Sequence, residues 1–266
     1  MYETNYHRAG SVADAVRMLT EAEDGKFLAG GQTLLPTMKQ RLAAPSDLVD
    51  ITKIPDMKGI REEGNQIVIG AATPHAEVAA SALVKSRLPG LATLAGGIGD
   101  PAVRHMGTIG GSIANNDPAA DYPAALVGLG ASVTTSKRTL AAEDFFIGMF
   151  DTALDEDEIV ISVAFPAAEK SAYAKYPNPA SRYAMAGVFV ARHADGSVRV
   201  AVTGAGQSGV FRVDGMEDAL AANWSPEAVA EMSLDSSNML HDVHGSARYR
   251  ANLVTVMAKR AVAAAG

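Results

Sequence analysis

Gly107-Thr108-Ile109-Gly110-Gly111-Ser112-Ile113-Ala114-Asn115-Asn116-Asp117-Pro118-Ala119-Ala120-Asp121-Tyr122-Pro123 is the stretch around which this chain of 266 residues is organised. Two adjacent glycines sit among small residues, and the run contains no lysine or arginine. Glycine removes the Cβ that holds a ligand away from the backbone. Successive backbone N–H groups in such a turn form an anion-binding concavity. Asp117-Pro118 reads as a helix start, with Asp at the N-cap and Pro at the first helical position. A second stretch of the same character lies earlier, at Ala29-Gly30-Gly31-Gln32-Thr33. Each alone reads first as a tight turn. Together, each with a helix start behind it, they suggest a long ligand with a phosphate-bearing part, such as a dinucleotide. Valine at Gly30 or Gly110 is then expected to expel the ligand and leave the fold largely intact.

Working outward, Ser11 is a good N-cap with Asp14 three residues on, and Val12, Ala15, Val16 and Leu19 share a helical face. Gly25 is expected to stop that helix. Lys26-Phe27-Leu28-Ala29 reads as a strand running into the first glycine stretch, and Thr33 as the cap of the next helix, with Pro36 in its first turn. Leu48-Val49-Asp50-Ile51 and Gln66-Ile67-Val68-Ile69-Gly70 read as strands. Thr73-Pro74 opens a helix, and one helical stretch is expected from 86 to about 97. An apolar helix follows through Ala124, Ala125, Leu126 and Leu129, then strands at 132–135 and 158–165. The acidic run Asp155-Glu156-Asp157-Glu158 reads as a solvated turn. Beyond Ala167 the character changes to strands at 173–176, 184–193 and 198–203, then helices near 216–222, 226–232 and 246–264. Asp195-Gly196 supplies a hairpin turn. Strands followed by helices suggest a separate α+β layer, with a boundary near residue 168.

At 48% hydrophobic and 20% charged residues the composition is that of an ordinary globular protein, and a net charge of -7 argues against a nucleic-acid partner. Cysteine is absent, which excludes disulfides, Cys-ligated zinc and an iron–sulfur cluster held by this chain. The first residues lack the features of a signal peptide, and no apolar run approaches the roughly 18 residues of a membrane span, so the cytoplasm is the expected compartment. Gly204-Ala205-Gly206-Gln207-Ser208-Gly209 matches a dinucleotide fingerprint in spacing, but Val210-Phe211-Arg212-Val213 after it is β-like rather than helical. It therefore reads as a glycine-rich strand connection. His241 and His244, with Asp235 and Asp242 nearby, read as capping and surface residues, and no metal site is expected. No acid/base or nucleophile constellation stands out, so no catalytic residue is assigned.

The two glycine stretches also carry a resemblance. Ala29-Gly30-Gly31-Gln32-Thr33 and Thr108-Ile109-Gly110-Gly111 resemble the paired signatures of the FAD-binding (medium) subunit of molybdenum hydroxylases, the family of aerobic carbon monoxide dehydrogenase and xanthine dehydrogenase. The similarity extends through Leu48–Ile51, Ile98-Gly99-Asp100-Pro101-Ala102-Val103-Arg104-His105, Asn115–Asp121 and Gly245-Ser246-Ala247-Arg248-Tyr249-Arg250. It implies an α+β fold. A two-part FAD-binding domain of the vanillyl-alcohol-oxidase-like (PCMH) type would occupy 1–167, in subdomains of about 1–55 and 56–167. A smaller C-terminal α+β domain with an antiparallel sheet and helices would occupy 168–266. By the same resemblance Lys26-Phe27-Leu28-Ala29-Gly30-Gly31-Gln32-Thr33-Leu34 and the stretch Gly107, Thr108, Gly110, Gly111, Ser112 to Asn115 would wrap the pyrophosphate and ribityl chain of FAD. Ile98 would lie against the flavin or adenine, Asp121 would hydrogen-bond the cofactor, and Val160 would give an apolar contact. Lys175 would stand near the pyrimidine edge of the isoalloxazine and Tyr183 close to the ring. Gln32-Thr33 replaces the His-Ser of other members, and the sequence around Tyr183 lacks the acidic residues of the xanthine branch. The implied function is an electron-transfer subunit. It would take electrons from [2Fe–2S] clusters on a small partner and pass them to an external acceptor. Substrate would be oxidised at a molybdopterin-type molybdenum cofactor on a large partner, in a dimer of heterotrimers. The alternative is a stand-alone FAD-dependent oxidoreductase.

Overall fold

The computed structural model describes all residues, 1–266. Strand β1 (Asn5–Arg8), helix α1 (Val12–Glu21), strand β2 (Gly25–Leu28), helix α2 (Leu34–Lys39) and strand β3 (Asp47–Asp50) build a parallel sheet in the order β1-β3-β2. β1 has no apolar alternation to betray it; it is held by its pairing with β3, Tyr6 opposite Leu48. Ser11 caps α1 as expected, its hydroxyl accepting from the Asp14 N–H at 3.1 Å. Gly25 does not stop this helix. An extended Ala22 ends it, and Gly25 opens β2. Nor does the Thr33 hydroxyl cap α2, because Thr33 is already helical, with φ -106° and ψ -52°.

The second part begins with a 3-10 turn at Pro55–Met57, strands β4 (Ile60–Glu63) and β5 (Gln66–Gly70), and helices α3 (His75–Ala80), α4 (Ala82–Arg87), α5 (Pro89–Gly96) and α6 (Pro101–Met106). The single helix expected over 86–97 is two. Leu88 breaks it, at φ -142° and ψ 63°, since the ring of Pro89 forces the residue before it out of the helical region. Then come α7 (Ile109–Asn115), α8 (Tyr122–Leu129), β6 (Ser132–Thr135), β7 (Thr139–Ala141), α9 (Ala142–Phe145), β8 (Phe146–Gly148), β9 (Asp151–Thr152) and β10 (Val160–Pro166). The sheet is antiparallel in the order β4-β5-β10-β6-β7. Every residue of α8 is buried, as befits a helix that is apolar all round. The acidic run is not wholly solvated. Glu158 is buried, and Arg138 reaches its Oε2 at 2.9 Å.

Asp117-Pro118 starts no helix. Asp117 closes a turn instead, its Oδ1 accepting from the Ala119 N–H at 2.8 Å and its carbonyl from Ala120 at 2.8 Å. α8 begins only at Tyr122.

The last part is strands β11 (Lys170–Pro177), β12 (Ala184–Arg192), β13 (Val198–Thr203) and β14 (Phe211–Arg212), an antiparallel sheet in chain order, then helices α10 (Asp214–Ala222), α11 (Pro226–Ala230) and α12 (Ala247–Ala265). β12 is buried on both faces except at its end. Phe189 and Ala191 join the core around α8, whereas Ala186, Val188 and Val190 join the core built on α12. This period-two division clamps the sheet between the rest of the chain and α12. The glycine-rich Gly204–Gly209 stretch connects strands. Gly204 has φ 79°, and a Cβ there would lie 2.2 Å from the Ala184 carbonyl oxygen. Buried Arg250 on α12 donates to the carbonyls of Met185 (2.7 Å) and Gly204 (2.8 Å) and pairs with Asp242 at 2.7 Å. No helix is long and apolar enough to cross a membrane.

Candidate cofactor site

A cavity of about 720 Å³ runs between the parallel sheet, α7, the start of α8 and the start of β10. Its size lies within the range usual for ligand sites. Both glycine stretches line it, as do Ile98, Asp121, Val160 and Tyr183. Of the residues singled out in the sequence, only Lys175 stands back from it. Lys175 Nζ lies 2.9 Å from Asp121 Oδ1 and donates to the Gly97 carbonyl at 2.9 Å.

The two glycine stretches meet each other. A Cβ on Gly30 would sit 2.0 Å from the Met106 carbonyl oxygen and 2.7 Å from Gly107 Cα. A Cβ on Gly110 would sit 2.5 Å from that of Ala71. The expected tolerance of the fold to valine at Gly30 or Gly110 is therefore overturned: both glycines exist for backbone packing. Gly111 is freer, its nearest neighbour being Thr108 Oγ1 at 3.1 Å.

Their hydrogen bonding differs sharply. No backbone N–H of Gly30, Gly31, Gln32, Thr33 or Leu34 donates to an acceptor in the protein. These donors line the cavity at the head of α2, an arrangement suited to an anion. In the second stretch Ile109 donates to Thr73, Gly110 to Ala71 (2.9 Å), Gly111 to Thr108 Oγ1 (3.2 Å) and Ser112 to the Thr108 carbonyl (3.0 Å). This stretch is helix from Ile109 on, capped by Thr108, and its N–H groups are spent on the fold.

Cations contribute little. Lys26 is the one lysine on the cavity wall, there is no arginine, and its Nζ is 3.5 Å from Asp24. The carboxylates Asp117, Asp121 and Glu158 are also on the wall. Against burial, which raises it, Arg138 and the Thr135 hydroxyl hold the Glu158 carboxyl down at about 2.

Asp121 is set from behind. The Pro118 carbonyl accepts from the Gly204 N–H (2.9 Å), and the Ala120 carbonyl accepts from the Thr203 hydroxyl (2.6 Å). Those bonds tie the turn before Asp121 to the end of β13, which is why Asp117-Pro118 does not run on as helix. The Tyr173 hydroxyl donates to Asp121 Oδ1 at 2.6 Å. Burial raises the Asp121 pKa, opposed by the Lys175 charge and then by the Tyr173 bond.

Sequence reasoning missed several wall residues, among them His75, Ala71, Asp117, Leu154, Glu158 and Ser181. His75 had a usable signal, since it follows the helix-opening Thr73-Pro74. Burial, then the charge of Arg104, bring its pKa down to about 4, so the ring is neutral. Its Nε2 lies where a Cβ on Gly107 would come within 2.7 Å, and its ring leans on Tyr122, centroids 5.3 Å apart.

Comparison with known proteins gives this geometry a family. Residues 2–168 match the model of the FAD binding domain in molybdopterin dehydrogenase. The chain belongs to the FAD-binding subunits of the molybdenum hydroxylases. It is 37% identical to the carbon monoxide dehydrogenase medium chain of Hydrogenophaga pseudoflava, over 98% of this chain and 96% of the relative. It is 35% identical to the nicotine 6-hydroxylase medium subunit of Paenarthrobacter nicotinovorans, over 98% of this chain and 96% of the relative. Among solved structures, CO dehydrogenase from Oligotropha carboxidovorans superposes with a TM-score of 0.89 at 34% identity, over 99% of this chain and 97% of that one. The family makes this chain an FAD-dependent oxidoreductase subunit, and the α+β architecture is the one the resemblance implied. The site residues fit FAD: a free N–H run for a pyrophosphate, an acceptor at Asp121, and apolar walls at Ile98, Ile159 and Val160.

Proposed function

We propose that this chain is an electron relay. It takes electrons from [2Fe–2S] clusters on a small partner subunit and delivers them to an external acceptor, while a large molybdenum-cofactor subunit oxidises the substrate. The observation that carries the cofactor placement is the run of free N–H groups from Gly30 to Leu34 on the cavity wall. Bound FAD supplies the exchange of one and two electrons between such partners. The chain's own residues bind and orient it. Gly30–Leu34 hold the pyrophosphate, Thr108 and Gly111 border the ribityl chain, Asp121 accepts a hydrogen bond from the cofactor, and Ile98 and Val160 exclude water from the ring. Tyr183, half-exposed at the mouth, covers the ring's open side. Lys175 acts on the pyrimidine edge as an ion pair with Asp121 rather than as a free charge. Residues 1–167 would be the FAD domain and 168–266 the C-terminal domain. The relatives' names as medium chains support large and small partner subunits. With them the chain would form a dimer of heterotrimers.

The test is a spectrum and a mixing experiment. The isolated chain should bind FAD and bleach with a chemical reductant. It should not oxidise aldehydes, purines, other N-heterocycles or carbon monoxide. Adding the molybdenum and iron–sulfur subunits should restore substrate-driven bleaching. Rapid turnover of any of these substrates by the pure lone chain overturns the relay and makes it a stand-alone flavoenzyme.

A further inference from the structure

Asp121 Oδ1 receives both protein donors, the Tyr173 hydroxyl at 2.6 Å and Lys175 Nζ at 2.9 Å, while no hydrogen bond within the protein reaches Oδ2. Asp121 itself is buried and on the cavity wall. Tyr173 and Lys175 are two apart on β11 and so lie on one face of that strand. Across the ladder Lys175 is opposite Gly187, and Tyr173 opposite Phe189. The phenol lies diagonally over Gly187, where a Cβ would fall 2.1 Å from the hydroxyl oxygen and 2.8 Å from Cζ. Any side chain at Gly187 would push the hydroxyl away from Asp121. Gly187 is thus a glycine whose missing Cβ is filled by one specific hydrogen-bond donor.

We propose that Tyr173, seated over Gly187, is a positioning residue for FAD: it holds Asp121 by Oδ1 so that Oδ2 is presented to the cofactor as an ionised acceptor. This rests on the placement of FAD beside Asp121 argued above. The physical requirement is plain. A buried carboxylate is costly unless paired and hydrogen-bonded, and a protonated one presents a weaker acceptor. Lys175 supplies the charge, and Tyr173 supplies direction. Because both act on the same oxygen, the carboxylate is fixed in rotation, and its other oxygen is left for a ligand donor. The remaining ionisable groups facing Asp121 are Tyr122 beside it, and Tyr183 and Asp117 across the cavity mouth. Tyr122 is kept protonated by burial and then by Asp121, and Tyr183 is raised by burial and then by Asp117 and Asp121. Lys175 is the one positive charge in the group.

The sign of the pH effect follows. The Tyr173 bond favours the ionised carboxylate, so removing it raises the Asp121 pKa, and Asp121 protonates at a higher pH. The test is FAD titration of the full apo chain across pH, with Asp121 followed separately by carboxylate infrared absorption in the absence of FAD. Tyr173→Phe should weaken FAD binding about tenfold or more at neutral pH, the range of one charge-assisted hydrogen bond. It should also move the acid limb of the binding curve to higher pH, together with the infrared titration of Asp121. Gly187→Ala should do the same through displacement of the phenol. Asp121→Asn should weaken binding and abolish that limb. If Asp121→Asn weakens binding but Tyr173→Phe moves neither the affinity nor either titration, the positioning role is wrong and the FAD placement stands. If Asp121→Asn and Tyr173→Phe both bind FAD as tightly as the unaltered chain, the flavin does not lie beside Asp121 and the underlying placement fails. A lowered Tm in Tyr173→Phe with both titrations unmoved assigns Tyr173 to packing alone and also overturns the proposal.

Discussion

The two glycine stretches look alike as sequence and do opposite things. Gly30–Leu34 leaves its backbone donors unspent on the cavity wall, whereas Ile109–Ser112 donates to Thr73, Ala71 and Thr108 and becomes a helix. The glycines follow another division. Gly30 and Gly110 are fixed by backbone and Cβ neighbours, while Gly111 faces little beyond the Thr108 hydroxyl. Composition marks a place where backbones come close; it does not tell whether the partner is a ligand or another part of the chain. The first stretch leaves its donors open to the cavity, and the second is the scaffold pressed against it.

The sharpest way to break this comparison is at the contact between the two. Gly30→Ala places a Cβ 2.0 Å from the Met106 carbonyl oxygen, a backbone atom that cannot swing aside. Overpacking of this kind costs on the order of 3 kcal/mol or more. The apo protein should lose Tm markedly even with no FAD present. Gly111→Ala, against a Thr108 Oγ1 at 3.1 Å, should cost far less. Equal Tm values for the unaltered chain and Gly30→Ala would mean that the stretches do not touch.

Acid should also strain the scaffold. His75 is buried against Gly107, with its pKa lowered from 6.5 to about 4. The unfolded chain therefore binds a proton between those values that the folded chain does not. Stability is full above the unfolded value and falls as pH drops from about 6.5 towards 4, by at most about 3 kcal/mol. Denaturant midpoints measured over that window should decline, and His75→Phe should flatten the decline. A slope unaltered by the substitution would remove His75 as its source.

A smaller loss is expected at the cap of the second stretch. Thr108→Ala removes the hydroxyl that accepts from Gly111, which costs about 1 kcal/mol. Denaturant unfolding should report it as a lower midpoint with an unchanged slope.

What the sequence made legible follows from this contrast. The strands Gln66–Gly70, Ser132–Thr135 and Val198–Thr203 were readable because their apolar residues are local signals. So were the glycine stretches and, through resemblance, much of the cavity wall, though not its His75, Ala71, Leu154 and Glu158 side. β1 was not, because its partner β3 lies some forty residues on and its own residues are polar. Nor was the turn at Asp117-Pro118, where the Pro118 carbonyl accepts from both Thr203 and Gly204, more than eighty residues on. Glu158 read as a surface acid because the arginine that pairs with it, Arg138, is remote in sequence. These three misses turn on a partner distant in sequence, whereas the break at Leu88 is local, set by the Pro89 that follows it.

The smallest effect is expected where intuition about phosphate places the largest. Lys26 is the one lysine on a wall that carries no arginine, is exposed, and stands 3.5 Å from Asp24. If the pyrophosphate is held by the N–H groups of Gly30–Leu34, the fixed donors are neutral and already in place, and a solvated ammonium adds little. Lys26→Ala should weaken FAD binding by less than about threefold, the range of an exposed ion pair. Raising salt should change affinity weakly, since few charges are screened. In an apo-protein titration with inorganic pyrophosphate, backbone amide resonances of Gly30–Leu34 should shift most, and those of Ile109–Ser112 little. A tenfold loss in Lys26→Ala with a steep salt dependence would move the phosphates from backbone to side chain. The largest shifts at Ile109–Ser112 would exchange the roles of the two stretches.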